Sequence, residues 1–247
     1  MKSRDEAGIS AVLQSRIANS DAALRRYSPE TTHVMEELLP PGIVAVERWD
    51  DDESAVLPPE ERVQVSSAIE SRLREFATAR SCARQALSEI GFPPVPILRG
   101  SKGEPLWPAG VVGSITHCTH YRAAAVAMQT QVKAIGIDAE IHDALPMEVV
   151  NTVCVAEEIA WLQRASDCLH WDRILFSAKE SVYKAWFPLT RRWLGFEQAA
   201  VRVEEAKNAF RVRPLVSLPV ELEQTLTRLS GRFLVRNGFV MTAVYLT

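Results

Sequence analysis

Three carboxylates and two lysines in the second half of the chain have the types and spacing to do chemistry. The segment Ala134–Glu140 reads Ala-Ile-Gly-Ile-Asp-Ala-Glu. As a strand it puts Ile135, Ile137 and Ala139 on one face and Gly136, Asp138 and Glu140 on the other. Downstream, Phe176–Trp186 reads Phe-Ser-Ala-Lys-Glu-Ser-Val-Tyr-Lys-Ala-Trp. As a helix it puts Ile174, Leu175, Ala178, Val182 and Ala185 on a stripe that must be buried, with Ser177, Glu180 and Lys184 opposite. Glu180 and Lys184 are i, i+4 neighbours, and Lys179 adjoins Glu180. Without histidine or cysteine close in sequence, such a hard oxygen site argues against zinc. Magnesium, with manganese as the alternative, takes a few carboxylates, keeps waters and binds substrate phosphates. The competing reading is a surface cluster of ion pairs. Against it, Asp138 and Glu140 sit in an apolar segment, where an unused charge is costly.

The first half supplies cations. Arg72, Arg80 and Arg84 recur at multiples of four along a helical segment, roughly in one row. They either await an anion or pair with Glu70 and Glu75 on the same face. Arg99 and Lys102 lie in a glycine-containing loop, Ile97–Trp107, where backbone can approach a phosphate closely. Ser114, Thr116 and His117 cluster at the polar end of the apparent strand Val111–Cys118, a candidate anion or cofactor contact. No nucleophile-elbow pattern is present.

The elements that must position these groups read as α+β. A helix is expected from Glu60 to Ile90, and strands over 43–47, 111–118, 123–128 and 132–140. Further helices are expected over 146–150, 157–164 and 171–186, the last closed by Phe187-Pro188. Strands follow over 199–203 and 209–212. A hairpin, 231–235 with 239–246, turns at Asn237-Gly238. The order strand, helix, strands occurs in both halves, which predicts two similar α/β lobes, 41–130 and 131–247, joined near 129–133. Residues 1–40 form an N-terminal arm, with helical composition over 9–17 and 21–27. Asp50–Glu53 reads as a solvated acidic turn.

The totals narrow the class. At 247 residues with 47% hydrophobic and 24% charged residues, the chain suits one large domain or two ordinary ones. A formal charge of −3 makes no case for nucleic acid or a membrane surface. No apolar run suits a signal peptide or a membrane span. The four scattered cysteines read as buried thiols of a reducing compartment, and the expected location is the cytoplasm.

Gly136–Glu140 and Phe176–Lys184 resemble the two signature motifs of the two-lobed 4′-phosphopantetheinyl transferases. Trp107-Pro followed by Val112–His117 resembles an additional motif of the enterobactin-synthase-component branch, as does Phe76–Arg84. The resemblance runs from about residue 40 to about 190. It implies a pseudo-dimeric fold with the active site between the lobes, and coenzyme A as co-substrate. It implies that Asp138, Glu140 and Glu180 hold Mg²⁺. Arg72, Arg80, Arg99 and His117 would contact the nucleotide end, with Lys102, Ser114 and Thr116 nearby. Lys179 and Lys184 would face the phosphates. The acceptor would be a serine of an acyl carrier protein, a polyketide-synthase carrier domain or a peptidyl carrier protein. Glu158 or Glu157 would match a glutamate that helps deprotonate that serine, and Glu180 could do so through a water.

Two other readings compete. One is a catalytically silent relative that only holds coenzyme A or a carrier. The other is a Mg²⁺-dependent phosphotransferase using a nucleoside triphosphate, for which no P-loop or kinase signature is present. Arg191 and Arg192 are expected to help dock an acidic carrier. Two internal lobes favour a monomer.

Overall fold

The computed structural model describes residues 33–247. The helices expected over 9–17 and 21–27 lie outside the described residues. Two antiparallel sheets carry the fold. The first holds β1 (Val44–Trp49), β5 (Tyr121–Met128) and β4 (Val111–Cys118), in that order. The second runs β6 (Ala134–Ile141), β10 (Phe239–Leu246), β9 (Ser230–Arg236), β8 (Ala209–Pro214) and β7 (Ala199–Glu204). Between β1 and β4, β2 (Leu98–Arg99) and β3 (Pro105–Leu106) form a small separate ladder. The loop expected over 97–107 is therefore a miniature hairpin.

The expected continuous helix over 60–90 is two helices. They are α1 (Pro59–Val63) and α2 (Glu70–Glu89). The physical reason is Glu61. Its buried carboxylate accepts the Ile97 amide at 2.7 Å and Arg84 Nη1 at 2.7 Å. In one straight helix residues 61 and 84 would lie about 35 Å apart, so the chain must turn back between them. Helices α3 (Met147–Val153) and α4 (Ala156–Leu162) follow β6. The long α5 runs Trp171–Thr190, past the proline expected to stop it. Pro188 sits in its last turn, where little helix remains downstream to lose. Arg191, in the left-handed region at φ 56°, ends it. Helix α6 (Val220–Arg228) was not anticipated. Its signals were Pro219 and the acidic first turn of Glu221 and Glu223.

Layering follows from side-chain size. Ala124 and Val126 of β5 meet Cys82, Ala83, Ala86 and Leu87 of α2. The opposite face of the same strand, Tyr121, Ala123, Ala125 and Ala127, meets Ile135, Ile137 and Ala139 of β6 and Phe239, Met241 and Ala243 of β10. The alanine run is thus covered on both sides. On the far face of the second sheet, α5 packs Ile174, Ala178, Val182 and Ala185 into a core completed by Phe210, Phe233, Val240 and Val244.

Residues 33–39 close the edge of the middle core. Glu47 accepts the amides of His33, Val34 and Met35, each at 2.9 Å, and the Tyr121 hydroxyl at 2.7 Å. Glu37 pairs with Arg236 of β9. The described part of the N-terminal arm is therefore packed structure.

Helix α5 reaches β6 closely at Gly136. A methyl group there would land on the Ser181 carbonyl oxygen. Gly136→Ala is expected to cost up to about 3 kcal/mol, because backbone must move. Thermal denaturation would show a fall of several degrees.

Candidate active site

The two sheets meet at β4 and β6 through side chains. Ser114 Oγ accepts the Ile137 amide at 3.0 Å, and Thr116 Oγ1 accepts the Ala139 amide at 3.1 Å. Both hydroxyls are buried. Ser114 matches Ile137 and Thr116 matches Ala139, so the strands run in the same direction. The sequence reading expected these two hydroxyls near a cofactor. Their lone pairs are instead engaged by β6, and Thr116 turns its hydrogen to Asp138 Oδ1 at 3.2 Å.

Asp138 is the best-held carboxylate of the seam. It also accepts Ser177 Oγ at 2.8 Å and Lys184 Nζ at 2.8 Å. Lys184 Nζ donates as well to the Ile137 carbonyl at 3.1 Å. Burial alone would depress the Lys184 pKa, but Asp138, Glu180 and Glu140 together raise it. Of the three carboxylates of the sequence reading, Asp138 contacts this ammonium directly, and Glu180 and Glu140 act on it through their charge. Glu140 pairs with Arg173 Nη1 at 3.0 Å. Burial, then the neighbouring Asp138, pushes Glu140 up to about 7. Two carboxylates this close resist joint ionisation. Among the described residues, no three His, Cys, Asp or Glu side chains form a ready metal cage.

One face of α5 supplies the groups that meet this strand. Arg173, Ser177, Glu180 and Lys184 are spaced four, three and four apart, one side of a helix. Arg173 was missed because it lies a turn upstream of the apparent motif, yet its spacing was a visible signal. Ser177, expected on an open face, is fully buried with Ser181 around Thr242 of β10.

The structure separates Lys179 and Glu158 from this cluster. They form an ion pair at 2.8 Å, with side chains 4% and 2% exposed. Lys179 also donates to the carbonyls of Val153 and Phe196, and Glu158 accepts the amides of Val155 and Val201. Lys179 is two residues from Ser177, on the opposite side of α5. Neither the phosphate contact expected of Lys179 nor the base role expected of Glu158 suits this geometry. The alternative base, Glu157, pairs with Arg213 at an exposed site.

On the other side of the seam lie the cations. His117 Nδ1 is 2.9 Å from Glu75 Oε1, and Arg72 pairs with the same carboxylate. Burial lowers the His117 pKa despite Glu75. Burial would raise Glu75, but His117 and Arg72 outweigh it and hold it down at about 2. Glu75 was weighed in sequence only as an arginine partner, because nothing local links it to residue 117.

The expected row of arginines divides. Arg84 is committed to Glu61, and Arg74 lies 3.5 Å from Glu70. Arg80 is buried, stacks 4.6 Å from the Phe76 ring centroid, and leaves its Nε without a hydrogen-bond partner. Burial lowers its pKa to about 10, with Arg99 and Arg84 adding repulsion. Arg80 therefore neighbours Arg99, which is exposed, and Lys102 is half-buried in the same hairpin. Such a group suits an anion. Arg191 pairs with Glu104, and Arg192 is exposed.

Two family models match the chain. The 4′-phosphopantetheinyl transferase N-terminal domain covers residues 60–127, and the 4′-phosphopantetheinyl transferase superfamily covers 134–235. The chain is 43% identical over 219 residues to 4′-phosphopantetheinyl transferase Npt of Nocardia iowensis, covering 85% of this chain and 99% of that protein. It belongs to the 4′-phosphopantetheinyl transferase superfamily. It is 48% identical to the transferase PptT of Mycobacterium tuberculosis, over 76% of this chain and 85% of that one. It is 46% identical to the transferase Svp of Streptomyces mobaraensis, over 78% and 80% respectively. Members of this family transfer phosphopantetheine to carrier proteins, and the chain is a transferase of that kind.

Two outcomes test this geometry. Lys179→Met leaves the Glu158 carboxylate buried and unpaired, so it is expected to cost about 3–5 kcal/mol in chemical denaturation. Glu75, with its pKa lowered from 4.5 to about 2 on folding, stabilises the protein above pH 4.5 and loses that effect as pH falls towards 2. Wild type should therefore melt above Glu75→Gln at pH 6. The gap should narrow as melts are repeated down to pH 3.

Proposed function

We propose that the transferase takes its phosphopantetheine from coenzyme A in a magnesium-dependent reaction at the seam between two lobes, 41–130 and 131–247. The observation that carries this reading is the contact of Lys184 with Asp138, with Glu140 and Glu180 near enough for their charges to act on the same ammonium, one strand away from His117 and Arg72. The lobe boundary is supported by the turn between β5 and β6. A pseudo-dimer is supported by the recurring plan of one 20-residue helix against an antiparallel sheet.

The donor set fits a hard divalent cation. Two strand carboxylates and one helix carboxylate supply oxygen alone, the donor type that such a cation prefers. Asp138, Glu140 and Glu180 would hold Mg²⁺, with Mn²⁺ as a substitute. When bound there, such an ion would supply charge neutralisation for the donor pyrophosphate.

The chain's own groups then divide the work. Arg80, with an unpartnered buried Nε, joins Arg72, Arg99, Lys102 and His117 in binding the nucleotide end. Lys184 holds the pyrophosphate. The carrier serine oxygen attacks the β-phosphorus in line. Its proton passes through a water to the Glu180 carboxylate, which lies on the open side of α5. As the new O–P bond forms, the pyrophosphate bridge breaks and adenosine 3′,5′-bisphosphate leaves. Positioning and charge stabilisation carry the rate. Ser114 and Thr116 act by joining the strands, and Lys179 and Glu158 by bracing α5.

The acceptors would be acyl carrier proteins, polyketide-synthase carrier domains or peptidyl carrier proteins, with exposed Arg192 facing their acidic surfaces. No helix of the described residues is long and apolar enough to cross a membrane.

Intact-protein mass spectrometry tests the reading. An apo carrier mixed with the protein, coenzyme A and Mg²⁺ should gain the mass of phosphopantetheine, and EDTA should prevent the gain. Glu180→Gln should abolish it while the protein keeps its melting temperature. In a parallel sample with ATP in place of coenzyme A, a gain of phosphate alone would indicate the nucleotide phosphotransferase instead, and no gain in either sample a silent binder.

A further inference from the structure

Glu104 is an acid in the wrong place for a phosphate site. It lies in the hairpin that carries Arg99 and Lys102, and would repel any polyanion bound there. Its side chain is only 10% exposed, and its two oxygens have separate partners. Oε2 accepts the Lys102 amide at 3.0 Å. Oε1 accepts Arg191 Nη1 at 2.9 Å. Arg191 is the residue that ends α5, the helix bearing Glu180 and Lys184. The carboxylate fills the space that a side chain at Gly100 would take, and the Gly100 amide bonds the Glu104 carbonyl at 2.7 Å. The hairpin is therefore wrapped around its own acid.

We propose that Glu104 is a positioning residue for donor binding. It fixes the Arg99–Lys102 hairpin in its binding shape and ties it across the seam to the end of the helix that bears the other half of the site. The inference rests on the coenzyme A reading above and assigns this residue a part in it.

The argument is one of preorganisation. Ladder pairing holds the hairpin at Leu98–Leu106 and Arg99–Pro105, the turn is closed by the Gly100 amide on the Glu104 carbonyl and the Gly103 amide on the Gly100 carbonyl at 3.0 Å, and the Lys102 amide at the tip goes to the Glu104 carboxylate. The Lys102 tip lies beyond that ladder, and Gly103 there has φ 88°. Such a tip samples many shapes unless something inside it accepts its amides. Glu104 supplies that acceptor. A hairpin already in its bound shape does not spend binding free energy on ordering. The Glu104–Arg191 pair reaches solvent on the arginine side, where the side chain is 63% exposed, so it contributes little to global stability. Its effect should appear in donor affinity.

The same contact redirects Arg191. It was expected, with Arg192, to meet a carrier. Its guanidinium pairs with Glu104 of the donor hairpin while most of its side chain stays exposed beside Arg192.

The test compares wild type with Glu104→Ala, which removes both contacts, and Glu104→Gln, which keeps a neutral acceptor. Coenzyme A binding is followed by calorimetry, and amide exchange over residues 100–103 in the ligand-free protein by mass spectrometry. Glu104→Ala should weaken coenzyme A binding by about tenfold. It should also speed exchange over 100–103, with the melting temperature nearly unchanged. Glu104→Gln should fall between the two, and it alone is compared if the alanine variant does not fold. Wild-type affinity in a folded variant overturns the proposal. So does weakened affinity with unchanged exchange, which would make Glu104 act by another route. If wild type itself neither binds coenzyme A nor modifies a carrier, the functional reading fails, and the proposal with it.

Discussion

Two hydroxyl groups hold the halves of this protein in step. The first sheet ends at β4 and the second begins at β6, and among the described residues no backbone ladder joins them. Ser114 and Thr116 do so by accepting the amides of Ile137 and Ala139. A buried amide without a partner is expensive, so the spacing of these contacts sets the register of one strand on the other. That register puts Thr116 against Asp138 and leaves His117 beside the seam. The acidic and basic groups are neighbours because the hydroxyls are where they are.

Helix α5 shows how one element can serve core and site together. Most of its surface is buried. Its aliphatic stripe completes the larger core, and its serines tie it to β10. The buried pair with Glu158 clamps the side away from the seam. Only a narrow line, through Glu180 and Lys184, is left for chemistry. On so constrained a helix, Lys184 has little freedom to leave Asp138 and the Ile137 carbonyl.

Much of this was legible in the chain, and the exceptions have a common cause. The faces of 134–140 followed directly from period-two alternation, and the turn at Asn237-Gly238 has both residues at positive φ, as its sequence demands. The break between α1 and α2 was not legible, because it depends on Glu61 meeting Ile97 and Arg84. Lys179 and Glu158 looked like site residues for a similar reason. A charged residue beside a motif does not reveal whether it points at substrate or into the core, and their partner carbonyls and amides lie in two segments, 153–155 and 196–201, that only the fold brings together. The contacts of Glu75 with His117 and of Arg173 with Glu140 were not legible because the partners are 42 and 33 residues apart in the sequence. Local pattern finds elements; it does not find which charges have been spent on holding elements together.

The closure by residues 33–39 bears on how the molecule comes to be made. Glu37 is joined to Arg236, 199 positions later, and the core beneath it needs Phe239, Met241 and Ala243. β6 likewise waits for β10 to cover its flank. During synthesis the early strands therefore emerge long before their partners, with Ala123, Ala125 and Ala127 uncovered. Contacts of such separation slow folding, and the waiting surface is open to aggregation. A nascent chain of this design completes its central layer only when its last strand has left the ribosome.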